Sequence, residues 1–179
     1  MGSGEAFRQA AAIVREQAAA WDRVVVVVSA MSGVTDALVR GARTAAAGDG
    51  ETYGAIAAEL RARHRDVVGA LPSLDGEGAA LLADVDGVLD AFATFCRSVH
   101  VLGEATPRAM DAISSLGERL SAGILAAQQR GQDADARPVM SPMRQRYVHS
   151  HTRNPKRDRK RSQYKDDTCR RVVPMGAGD

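Results

Sequence analysis

The stretch "WDRVVVVVSAMSGVTDAL", residues 21–38, decides how the rest of the chain is read. Five consecutive valines, 24–28, run into Ser29, Ala30, Met31, Ser32 and Gly33, and then into a segment of helical spacing carrying Thr35 and Asp36. An unbroken β-branched run without polar alternation suits a strand buried on both faces, as in a parallel sheet. In such sheets ligands collect beyond the carboxyl end of a strand, where backbone N–H groups and short hydroxyl side chains are free. Ser29 takes that position. The plainer alternative is that Ser29, Ser32 and Gly33 only turn the chain and cap a helix, because position in a fold does not by itself establish function.

Outward from this segment the pattern is helical. The spacing predicts a first helix over 4–20, capped by Ser3, with Phe7, Ala10, Ala11, Val14 and Ala18 on its apolar face. A second helix begins near Thr35, buries Leu38, Val39 and Ala42, and stops around Gly48. "ETYGAIAAELRARHRDVVGAL" continues through Tyr53, Ile56, Leu60, Val67 and Leu71, with His64 placed on a charged, solvated face. After the loop "LPSLDGEG", a long helix buries Leu81, Leu82, Val85, Leu89, Phe92, Cys96 and Val99. "GEATPRAMDAISSLGERLSAGILAAQQRG" opens with Thr106 as N-cap and Pro107 at the first helical position; Gly117 interrupts it and Gly131 ends it. One convincing strand stands among these helices, and a strand cannot satisfy its backbone alone. "ARPVM" and "RRVVPM" are the only short candidates to pair with it.

The net charge of +2 hides two unlike parts. Residues 1–136 carry 12 Arg, no Lys and 18 acidic residues, a net −6; residues 137–179 carry 9 Arg, 3 Lys and 4 acidic residues, a net +8. Two regions are therefore expected, 1–138 and a basic tail over 139–179. The tail is open to three readings. It is a solvated, disordered segment; or it binds nucleic acid, which its sparse aromatics argue against; or it is not native to the body, as after a shifted reading frame or a fusion. No apolar run is long enough to span a bilayer and the first residues lack a signal-peptide layout, so a cytoplasmic protein with no membrane partner is expected. Cys96 and Cys169 have no metal-ligand spacing and are expected to be reduced and unpaired; His149 and His151 with Cys169 make no convincing metal site.

Three stretches carry a resemblance: "VVVVVSAMSGVTDAL", the "RARH" of the third helix, and "EATPRAMDAISSLGERLSAGILAA". In this order and spacing they resemble the amino-terminal part of aspartate kinase, in the amino acid kinase family, over roughly residues 2–138. The resemblance implies an α/β fold, an incomplete α/β/α sandwich whose amino-terminal lobe binds the amino acid. It implies transfer of the ATP γ-phosphoryl group to the side-chain carboxylate of L-aspartate, with ATP and Mg²⁺ as cofactors, on the route to lysine, threonine and methionine. Homo-oligomers occur in the family. By motif, Ser29 and Thr35 match hydroxyl residues that contact the amino acid, and Glu118 matches the carboxylate facing its α-ammonium group. A hydroxyl can donate to a carboxylate and a carboxylate can pair with an ammonium, so each assignment makes chemical sense. One substrate touching all three requires them within about 10 Å of each other.

The departures are as informative. The family's Lys-Phe-Gly-Gly-Thr-Ser segment, with its first strand, phosphate-binding glycines and catalytic lysine, has no counterpart, and residues 1–155 hold no lysine. The family's nucleotide-binding second half and the arginine that holds the substrate carboxylate are not matched either. No residue here is assigned a catalytic role, and the expectation is a truncated kinase lobe, inactive alone. The rival expectation is a non-catalytic helical module whose basic tail engages nucleic acid or another polyanion.

Overall fold

The computed structural model describes residues 2–72, 74, 76–132 and 134–139; the basic tail therefore lies outside the described residues. Six helices account for its regular structure: α1 Gly4–Ala20, α2 Val34–Ala46, α3 Thr52–Gly69, α4 Gly78–Leu102, α5 Pro107–Ser114 and α6 Leu116–Arg130. Three of the starts, those of α1, α5 and α3, have a side-chain cause. Ser3 Oγ accepts from the Ala6 amide at 3.3 Å, and Thr106 Oγ1 accepts from the Ala109 amide at 3.2 Å with Pro107 behind it. The Asp49 carboxylate accepts from the amides of Glu51 and Thr52 at 2.9 and 3.0 Å and from the Thr52 hydroxyl. Those hydrogen bonds to the charged form, the Thr52 hydroxyl first, hold the Asp49 carboxyl below its usual range.

α2 is the hub. It packs on α3, α4, α5 and α6, while α3 lies on α4, α4 on α6, and α1 on α6. The shared core is built from Phe7, Leu38, Leu60, Leu89, Phe92, Ile113, Leu116 and Ile124, all essentially inaccessible. Gly41 brings α2 close to α4: a Cβ there would lie 2.7 Å from Cζ of Phe92. Polar ties also join the elements. Arg8 donates to the Ala70 carbonyl at 3.0 Å, Gln129 Nε2 to the Ala11 carbonyl at 3.0 Å, and Arg130 pairs with Glu77 at 2.8 Å. Arg61 and Arg65 share Asp86 at 3.1 Å each, and Arg61 also reaches Asp90. These pairs are half-exposed and contribute little individually.

The expectation of an α/β sandwich is overturned. Among the described residues there is no strand and no sheet, and the body is all-helical. Residues 24–28 run without regular secondary structure, and no backbone hydrogen bond joins them to another segment. The physical reason is the absence of a partner among the described residues: Ala136 to Val139 of "ARPVM" form no strand ladder, Ala136 bonding instead to Ala134 and Arg130, and "RRVVPM" lies outside the described residues. Nor are the valines buried on both faces. Val26, Val28 and Ala30 pack on the helical core, whereas Val25 and Val27 are 90% and 67% exposed. The period of two that the sequence conceals is present in the burial.

Two smaller expectations also change. The helix over 106–131 is two helices, broken at Ser115 rather than at Gly117. The Ser114 and Ser115 hydroxyls donate back to the Asp111 and Ala112 carbonyls at 3.1 and 2.8 Å, competing with the helical ladder where it breaks. His64 is not solvated but fully buried on α3, its Nδ1 donating to the Leu60 carbonyl at 2.6 Å.

Candidate functional site

Gly117 holds the two motifs together. It is buried in the first turn of α6, and a Cβ built on it would lie 2.7 Å from the Cβ of Ala30 and 3.5 Å from both Thr35 Oγ1 and Val34 Cγ1. Only a residue without a side chain lets the start of α6 approach this closely. The end of the valine segment, the start of α2 and the start of α6 therefore meet at one point, although Ala30 and Gly117 are far apart in sequence. Gly33, in the left-handed region at φ +74°, makes the turn that starts α2.

Around this junction the three residues singled out from sequence are placed as follows. Ser29 is exposed at the end of the valine segment, one residue before Ala30, and its hydroxyl has no partner among the described residues. Thr35 is half-buried in the first turn of α2, with Oγ1 against Gly117. Glu118 follows Gly117 directly, is exposed in the first turn of α6, and forms no ion pair among the described residues. A carboxylate at that position faces the favourable end of the helix dipole. Its neighbour Arg119 leaves it unpaired and instead lines a separate open groove of about 330 Å³ between α4 and α6, with Asp84, Val85, Gly123 and Pro138. That groove contains none of the three.

Arg63, the second arginine of "RARH", was not singled out from sequence. It lies on α3 with Nη1 3.9 Å from where a Cβ on Gly33 would be and Nη2 3.9 Å from the same position on Gly2. It is half-buried and has no carboxylate partner among the described residues, whereas its neighbours Arg61 and Arg65 are both paired. The signal in the sequence is the i, i+2, i+4 spacing of the arginines, which cannot all face the acidic side of α4. Gly117 thus seats Ala30 and Thr35 against the start of α6, Ser29 and Glu118 are the residues next in sequence to that contact, and Arg63 lies beside Gly33 and Gly2. Two hydroxyls, a carboxylate and a guanidinium are the chemistry that would hold a small zwitterion; the set contains no activated nucleophile and no paired acid and base.

The other titratable groups are structural. Burial pushes the Cys96 thiol up to about 12, so it stays protonated inside the core. Burial also lowers the His64 pKa below its ordinary value, partly opposed by the hydrogen bond to Leu60. No group of three His, Cys, Asp or Glu side chains among the described residues could hold a metal ion, and no helix among them is long and apolar enough to cross a membrane. In comparisons with known proteins, no family model and no curated protein sequence matches the chain.

Proposed function

We propose that residues 2–138 form a cytoplasmic L-aspartate-binding lobe related to aspartate kinase, and that the chain alone does not transfer phosphate. The observation that carries this reading is the seating of Gly117 against Ala30 and Thr35, which joins the two most specific motifs of the resemblance at one surface. Glu118 faces the α-ammonium group, Ser29 and Thr35 donate to a substrate carboxylate, and Arg63 offers the positive charge that a second carboxylate needs. In the family the γ-phosphoryl group of ATP, with Mg²⁺, passes to the side-chain carboxylate. Rate in that chemistry comes mainly from neutralising the phosphoryl oxygens and positioning the reactants. The described residues contain no lysine to do so.

Two measurements test the proposal together. Titration calorimetry with L-aspartate should show weak binding that Glu118→Ala abolishes and Arg63→Ala weakens, with succinate, which lacks the ammonium group, failing to compete. A phosphoryl-transfer assay on the same protein should show no aspartyl phosphate above background. Absence of binding at millimolar aspartate, or binding indifferent to Glu118, refutes the site; ATP-dependent aspartyl phosphate from this chain refutes the expected inactivity.

A further inference from the structure

Residues 24–28 have an unmet requirement that no helix of the body can supply. Among the described residues, the backbone amides and carbonyls from Val24 to Ser29 have no hydrogen-bond partner. Meanwhile alternate side chains, Val26, Val28 and Ala30, are bedded on the core. The segment is thus anchored on one face, with Val25 and Val27 uppermost at 90% and 67% exposure. Five β-branched residues held this way, with free N–H and C=O groups, form a template for strand pairing.

We propose that a second copy of this chain adds to this edge, residues 24–28 of the two copies pairing antiparallel about Val26. The sequence fits its own reverse. Val26 faces Val26, Val25 faces Val27 and Val24 faces Val28, so each pair joins residues of the same face, and the bedded side of both copies stays on the helices. Charge selects the direction. In the antiparallel register Arg23 lies opposite Ser29 and Asp22 opposite Ala30, whereas a parallel in-register pair stacks Asp22 on Asp22 and Arg23 on Arg23. Like charges directly opposite are unfavourable, so the antiparallel pair wins. The two-fold axis makes the contact isologous and closed at that edge. A five-residue ladder buries less than the roughly 1,000 Å² of a stable interface, so the dimer is weak and concentration-dependent. This inference is independent of the aspartate site.

The test combines sedimentation with hydrogen exchange on the full chain from about 10 µM to about 500 µM, a range that brackets weak association. The dimer fraction should rise with concentration, and exchange protection at 24–28 should rise about tenfold in step with it. The double variant Val25→Lys with Val27→Lys places lysines opposite lysines and should abolish both effects. Because both positions face solvent, the helical circular dichroism should be unchanged. Mixing it with Val25→Glu, Val27→Glu should restore a heterodimer. A monomer throughout the range overturns the proposal, as does association indifferent to the lysines. Protection at 24–28 independent of concentration overturns it too, since the edge is then covered within one chain. Failure of the lysine and glutamate variants to recombine refutes strand pairing through these side chains.

Discussion

Gly117→Ala tests the junction most directly, because the same chemical change elsewhere in the body should have the opposite sign. In a helix interior, replacing Gly with Ala stabilises by about 0.8–1 kcal/mol through lower backbone entropy in the unfolded chain and better propensity. At Gly87 in α4 an added Cβ meets nothing within 4 Å, so Gly87→Ala should show that gain. At Gly117 the added Cβ lies 2.7 Å from the Cβ of Ala30. Carbon atoms rest at about 3.5–4.0 Å, so the start of α6 or the Ala30 segment must move by close to 1 Å. A Cβ is fixed to its backbone and cannot rotate away. Overpacking of this kind costs about 1–3 kcal/mol, which offsets the propensity gain and leaves Gly117→Ala neutral to about 2 kcal/mol destabilising. Propensity favours Ala at both positions, less in the first turn of α6 than in the middle of α4, so their difference, about 1–3 kcal/mol, is mainly the clash. Urea unfolding followed by far-UV circular dichroism, with equal slopes in both variants, measures it. If Gly117→Ala stabilises as much as Gly87→Ala, the start of α6 does not sit on Ala30 and the proposed site loses its foundation.

Other expected outcomes follow from the core and its titratable groups. Phe92→Ala removes a fully buried ring against Gly41 and should cost about 3–5 kcal/mol in the same unfolding assay. His64 is held neutral by burial, its folded pKa lying below the unfolded 6.5. The unfolded chain therefore binds the proton first, and stability should fall as pH drops through about 6.5, levelling off once the folded-state pKa is passed. His64→Leu should remove that component from the pH–stability curve; an unchanged curve would show that His64 does not contribute. Cys96, with its thiol raised to about 12, should resist alkylation at neutral pH until denaturant is added, as peptide mapping can show. Gln128→Met removes two buried, unpartnered polar atoms and should stabilise by about 1 kcal/mol; a loss would show that water meets those groups.

The helices were legible because their signals are local. Ser3 before an apolar face, Thr106 before Pro107, and the spacing of Leu81, Val85, Leu89, Phe92, Cys96 and Val99 each fix an element without reference to the rest of the chain. The sheet was misread because it required a partner the valine run does not contain. Five identical residues carry no record of which face is bedded, so alternation could not be seen before Val26 and Val28 were found against the core. His64 was misread for the opposite reason. It continues the four-residue steps of Ile56 and Leu60, which point inward, but the arginines at 61, 63 and 65 suggested a charged face. Helical period was the better guide there, since alternate residues on a helix diverge.

The junction was half legible. Ser29, Thr35 and Glu118 can be named from motifs, but nothing in the motifs says that residues 30–35 pack on the start of α6. That information sits in Gly117, which reads in sequence only as a cost to its helix and acts in the fold as the point of closest approach. The same helix carries the body's least satisfied interior: Ser121 Oγ, both polar atoms of Gln128 and Gln129 Oε1 are buried without partners. A buried polar atom left unpaired costs about 1–3 kcal/mol, whereas backbone groups that water can reach, as beside the exposed Val25, Val27 and Ser29, incur little of that penalty. The two kinds of unmet hydrogen bonding therefore have different consequences. The exposed edge is available for pairing without first weakening the body, while the buried stripe on α6 draws directly on its stability. Any ligand or partner that stiffens the start of α6 stabilises the element most in need of it, and binding at the junction should accordingly register as a rise in melting temperature.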